Sequence, residues 1–210
     1  MIPFIMVIMI WPASCVIFSI RNETPGYFWS KREAQAVWLR RISRPIQHNK
    51  NYDSYIIMVV EQMNPNLLKL MLNIYPPYWG TGIVITSIAP DYRQIIVQMK
   101  LHWYNRNYVR THFGGSLYAM TDPFFMLMLI RILGPSYTVW DKAAYIDFMR
   151  PGRGVVSAKF TISEEQVREI MEHTTDGQKY FPKFTVDIHD EQGQTVARVT
   201  KTLYVRKKDG

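Results

Sequence analysis

The run from Ser116 to Leu133, SLYAMTDPFFMLMLIRIL, constrains this chain more than any other stretch, because it is apolar on every side of a helix and holds one carboxylate, Asp122. A helix apolar all round has to be wrapped by the rest of the fold. A lone acid inside it is costly unless it is paired or used. Gly114 and Gly115 stand at its mouth, and Asp122 lies seven residues after Gly115, almost two turns, which puts the two on one helix face. The start of a helix also presents unpaired N–H groups and a partial positive charge, which can polarise a carbonyl oxygen.

The flanking sequence supplies a sheet. Asn64-Pro65 opens a short amphipathic helix through Leu67, Leu68, Leu70, Met71 and Ile74, with Asn64 as cap, and Pro76-Pro77 stops it. Strands are expected at 82–89 and 93–101 across the turn Ala89-Pro90-Asp91, the second alternating Ile95, Val97, Met99 and Leu101 against Gln94, Gln98 and Lys100. The buried helix should end near Gly134-Pro135 and bend at Pro123, which cannot supply its ladder bond. Two strands follow, 137–149 and 153–162, joined by Arg150-Pro151-Gly152. Ser163-Glu164-Glu165-Gln166 has capping-box character and starts a polar helix that Asp176-Gly177 ends. A last hairpin is expected at 180–190 and 194–206, turning at Asp190-Glu191-Gln192-Gly193. This order predicts an α+β domain in which a curved antiparallel sheet wraps one buried helix.

Composition excludes more than it selects. Cys15 is the one cysteine in 210 residues, so there is no disulfide framework and no cysteine-rich zinc site. That suits a reducing compartment. The histidines His102, His173 and His189 have no ligand spacing, so no metal is expected. The net charge of +8 divides into +3 before residue 63 and +5 after it. Such a dispersed excess fits an anionic ligand such as a CoA nucleotide, and equally an ordinary basic protein. No arginine-rich run or nucleic-acid motif accompanies it, so nucleic acid is not an expected partner.

Residues 1–20, MIPFIMVIMIWPASCVIFSI, carry no charge and match a bilayer core in helical length. Arg21, Lys31, Arg32, Arg40, Arg41 and Arg44 follow, which would hold the remainder on the cytoplasmic face of the inner membrane. The segment lacks the basic start of a secretory signal. Residues 1–62 are therefore either an N-terminal extension with a membrane anchor or an over-long gene call whose true start is Met58 or Met63, and both stay open. Residues 63–210 form the second domain, expected in the cytoplasm.

The motif Asn107 … His112-Phe113-Gly114-Gly115 … Asp122, continued by Trp140-Asp141-Lys142 … Ile146-Asp147-Phe148-Met149-Arg150-Pro151-Gly152, resembles the hot-dog-fold thioesterases, specifically their PaaI-like branch. The likeness covers residues 64–207 and is strongest to a sub-branch catalogued as a domain of unknown function. It implies a hot-dog fold and hydrolysis of an acyl-CoA or related thioester, with no cofactor beyond the CoA of the substrate. It also implies Asn107, His112, Gly115 and Asp122 as site residues. Two departures stand out: Phe113 separates His112 from the glycines, and Met126 stands where some relatives present a Ser or Thr. His112 beside an acid could suggest a dehydratase, but the Gly-His-Phe signature of those enzymes is missing.

Within one helix the Gly115 N–H and the Asp122 carboxylate are about 10 Å apart, too far to share one carbonyl. Two antiparallel copies across a twofold axis would bring them together, so a homodimer or homotetramer is expected. In that site Gly115, aided by Gly114, polarises the thioester oxygen. Asp122 acts as general base or nucleophile, and Asn107 positions water or the acyl group. Arg150 and Arg153 could grip CoA phosphates, although turn charges are commonly just solvated. Strict alternation groups Lys142 with Ile146 and Phe148, and Asp141 with Tyr145 and Asp147. Lys142 is then either a buried partner for Asp122 or an exposed edge residue. The alternative function is a non-catalytic acyl- or CoA-binding module of the same fold.

Overall fold

The structure is a computed structural model that describes residues 63–208; the expected extension, anchor and alternative starts before residue 63 lie outside the described residues. Asn64 caps α1 (Pro65–Asn73), its Oδ1 accepting from Leu67 N at 2.9 Å, and the helix buries Leu68 and Leu72. The proline pair after it does more than stop a helix. Pro76 and Pro77 occupy the first turn of a second one, α2 (Pro76–Thr81), where their missing N–H groups cost nothing.

Gly82 ends α2 in the left-handed region at φ 73°, and a Cβ there would lie 2.8 Å from Asn105 Nδ2. Asn105 is itself committed, donating to Thr81 O and Lys100 O at 2.8 Å and accepting from His102 N at 2.6 Å. Gly82→Ala is therefore expected to lose about 1–2 kcal/mol from the backbone conformation alone, read as a lower urea midpoint.

The sheet is antiparallel throughout. β1 (Ile83–Ile88), β2 (Gln94–Lys100), β3 (Tyr137–Phe148), β4 (Val155–Thr161), β6 (Lys183–His189) and β7 (Thr195–Lys207) are ordered β1-β2-β4-β6-β7-β3, and the two-residue β5 (Lys179–Tyr180) pairs with β7. The alternation in β2 comes out as expected, with Ile95, Val97 and Met99 buried and Gln98 and Lys100 exposed. The expected strand 180–190 is divided, because Phe181-Pro182 separates β5 from β6 and proline cannot donate to a ladder. Ser163 and Gln166 form the reciprocal capping box of α5 (Glu164–His173), which ends before Asp176 at a Thr174 whose hydroxyl bonds Ile170 O.

The expected single bent helix is two helices, α3 (Gly114–Ala119) and α4 (Phe124–Leu133), separated by Met120–Pro123 with a cis Asp122–Pro123 peptide. Gly114–Leu133 is the one stretch among the described residues whose length and composition would suit a membrane span. Here it lies against the sheet with Phe124, Phe125, Met128 and Leu129 buried. Phe124 and Phe125 pack on Phe160 at 5.0 and 5.1 Å between ring centroids, and Phe125 also stacks on Phe184 at 4.9 Å. Burying each such ring stabilises the fold by about 1.5–3 kcal/mol. The wrapped helix and curved sheet are the hot-dog α+β arrangement.

Candidate active site

The break between α3 and α4 puts Asp122 on a short non-helical stretch, where its N–H still bonds Ala119 O at 3.2 Å. Its backbone carbonyl accepts from the buried Tyr78 hydroxyl at 2.5 Å, which fixes the break against α2. Burial first, and the Asp122 charge second, hold the Tyr78 hydroxyl well above the usual phenol range, so it remains a donor. The Asp122 side chain is 36% exposed and points one oxygen, Oδ1, at Lys201 Nζ in a short ion pair.

Lys201 belongs to β7, where period two places Val199, Lys201, Leu203 and Val205 on one buried face. At 1% exposure it is a charge enclosed by core, a state tolerated only with partners. It has two: Asp122, and Asp141 Oδ2 at 3.2 Å. The Tyr118 ring lies 5.2 Å from the ammonium as a third, cation–π neighbour. Burial alone would lower the Lys201 pKa, but the charges of Asp122 and Asp141 outweigh it and raise the pKa overall, so the lysine stays a cation.

Asp141 arrives by an irregularity that alternation could not anticipate. β3 carries a bulge between Asp141, opposite Leu203, and Ala143, opposite Thr202. A bulge changes the parity of a strand. Asp141 therefore shares the inward face with Val139 and Ile146 instead of pairing in direction with Tyr145 and Asp147, while Lys142 and Phe148 are exposed. This corrects the grouping expected for β3. Lys142 is the edge residue of the two alternatives, its Nζ lying 3.8 Å from the centroid of the Phe181 ring, and Lys201 is the cation that Asp122 meets. Burial pushes the Asp141 carboxyl up to about 6; Lys201 opposes the rise, and the nearby charge of Asp122 adds to it. Its Oδ1 is buried without a partner.

The remaining candidates are placed as follows. Asn107 is engaged inside its own loop: Oδ1 accepts from Thr111 N at 3.0 Å, and Nδ2 donates to Thr111 Oγ1 at 2.9 Å and His112 O at 3.3 Å. His112 is buried and turned to the Arg150–Gly154 turn, with Nε2 3.1 Å from Gly154 O. Burial lowers its pKa, against the Gly154 hydrogen bond, and keeps it neutral; Nδ1 has no partner. Neither residue contacts Asp122 within the protomer. Gly115 is exposed, and a Cβ on it would lie 2.5 Å from the Phe113 ring; one on Gly114 would lie 3.0 Å from the Phe148 ring. The glycines thus admit two aromatic rings as well as leaving amides at the helix start. Arg150 bonds the Gln194 side chain, and Arg153 is exposed on the same turn. Lys201, Asp141 and Tyr78 were absent from the sequence-derived site. The lysine alone had left a trace, a charged residue in the apolar register of β7.

Solved structures share this architecture. A Pseudomonas aeruginosa protein of unknown function, designated a probable thioesterase, superposes with a TM-score of 0.59 at 17% identity over 68% of this chain and 95% of its own. A Chlorobaculum tepidum protein of unknown function gives 0.55 at 16% identity over 70% and 98%. A Haemophilus influenzae thioesterase gives 0.52 at 16% identity over 70% and 92%. The fold is that of the hot-dog thioesterases, and no curated protein matches the sequence. The chain belongs to the family described as a domain of unknown function, DUF4442, whose model matches residues 64–205.

Proposed function

We propose that this protein hydrolyses an acyl-CoA or related thioester, with Asp122 as the acid that activates water. The carrying observation is that Asp122 stands at a helix break, part exposed, with its carboxylate anchored from behind by a buried lysine. A carboxylate so held can face a substrate in one orientation. Water attacks the thioester carbon, Asp122 takes the proton, the C–S bond breaks, and the thiol leaves with a proton. The thioester oxygen meets the Gly115 amide, with Gly114 beside it, and this amide comes from the second copy of a homodimer. Supporting that dimer are the edge position of β3 and the exposed Tyr145, Phe148 and Phe113 near it. Asn107 acts by holding the loop that leads to the glycines, His112 by fixing that loop to the 150–154 turn, and Arg150 and Arg153 meet the CoA phosphates. The reaction is placed in the cytoplasm and needs no cofactor beyond the CoA of the substrate.

One observation favours a second reading. The Phe113 ring over Gly115 covers the approach that an oxygen would take to its amide. A site covered in this way suits a non-catalytic acyl- or CoA-binding module. The test is thiol release by the full chain over short, long and aromatic acyl-CoAs, beside calorimetric binding of the same compounds. Turnover supports the hydrolase, binding without turnover moves the module to first place, and neither removes both.

A further inference from the structure

Asp141 is the partly buried ionisable group beside Asp122 that the proposed reaction leaves without a task; it reaches Asp122 through Lys201. The three make a site of two carboxylates and one ammonium, linked through a single Nζ atom. An ammonium shared by two anions holds each less tightly than it would hold one. We infer that Asp141 is a positioning residue for thioester hydrolysis at this site, setting through the shared Lys201 how firmly the ammonium neutralises Asp122; this rests on the hydrolase reading above.

The geometry gives Asp141 two states with different consequences. With Asp141 neutral, Lys201 and Asp122 form a closed one-to-one pair, and the negative charge of Asp122 is spent on the lysine. With Asp141 ionised, the ammonium is divided, a net negative charge remains, and Asp122 is freer to draw a proton from water. The unpartnered Oδ1 of Asp141 makes the switch available. A buried carboxylate oxygen without a donor favours the neutral acid, in agreement with its carboxyl lying at about 6.

The groups that face Asp141 are few. β7 supplies Lys201, and the α3–α4 segment supplies Asp122, with Tyr118 behind the lysine. On β3 itself Lys142 is turned over Phe181. α4 has one ionisable side chain, Arg131, and that is engaged by the Met63 carbonyl and Tyr92. His112 faces Gly154. Of these groups Asp141 is the one that shares a lysine with Asp122, so an activity change near pH 6 is assigned to it.

The test is the pH profile of kcat/KM for the full chain and its Asp141→Asn and Asp141→Glu variants. The wild type should rise with pH through about 6. Asp141→Asn should lose that limb and fall about tenfold above pH 7, the effect of one pK unit of altered interaction, with the loss in kcat and little change in KM. Asp141→Glu should restore the limb. An active Asp141→Asn with an unchanged profile would overturn this role and leave the hydrolase reading standing. A wild type inert on every acyl-CoA would overturn that reading and this role with it. If Asp141→Asn does not fold, carbon-13 NMR of the aspartate carboxyls decides: the Asp141 midpoint should drop in Asp122→Asn, and a midpoint that does not move overturns the coupling.

Discussion

Asp122→Asn should lower kcat for thioester hydrolysis by about a hundredfold to ten-thousandfold, the usual contribution of a positioned general base, while the protein stays folded. The amide has the shape of the carboxylate, and the backbone carbonyl that receives Tyr78 is unchanged. Lys201 keeps Asp141, so the variant retains one cation and one anion in the core. This separates the change from a general loss of structure: removing one of two acids leaves a matched pair, not an orphan. Initial rates of thiol release give the first quantity and thermal melts the second. Full activity in the variant would remove Asp122 from the chemistry; lost activity with a collapsed melting curve would assign it to stability.

Much of the fold could be read from the chain because its signals are local. The alternation of β2, the Asn64-Pro65 start and the Ser163–Gln166 box each act within one or two turns of chain, and each element formed where expected, while the apolar run after Gly115 marked the buried segment but not its break into two helices. The misses have a common character. Pro76 reads in sequence as a stop, although proline at a first helical position is also a start. Pro182 falls inside the strand expected over 180–190 and divides it. The β3 bulge has no composition cue, since its extra residue is accommodated by pairing with β7, more than fifty positions later. The site was legible at one end only. Asp122 announced itself as an acid in apolar surroundings, but its partner lies 79 residues on. Lys201 could have been found by the same argument, because a lysine between Val199 and Leu203 in an alternating strand is as anomalous as an aspartate in a buried helix.

That lysine carries the second large expectation. Lys201→Met should destabilise the fold by about 3–5 kcal/mol, the usual result of removing one partner from a buried ionic group. Methionine replaces the aliphatic stem, so packing is largely kept and the loss reports on charge. What remains is Asp122 and Asp141 with no cation between them. The 36% exposure of Asp122 lets water screen it and places the cost toward the lower end of the range. The effect should also depend on pH with a definite sign. Asp141 has a folded pKa raised above its unfolded value, so its contribution to stability is complete below about 4 and is lost as pH rises through about 6. Lys201 is the influence that restrains that rise, so without it the loss should extend to higher pH. Urea unfolding at pH 5 and pH 8 should therefore show the variant closer to wild type at pH 5. The lysine itself contributes no pH dependence there, because its raised pKa keeps its own loss above the ordinary lysine value of 10.5. Adding Asp122→Asn and Asp141→Asn to Lys201→Met should recover most of the stability, since no buried charge is then left unpaired. A single variant as stable as wild type at both pH values would mean that the three side chains do not form one ionic unit.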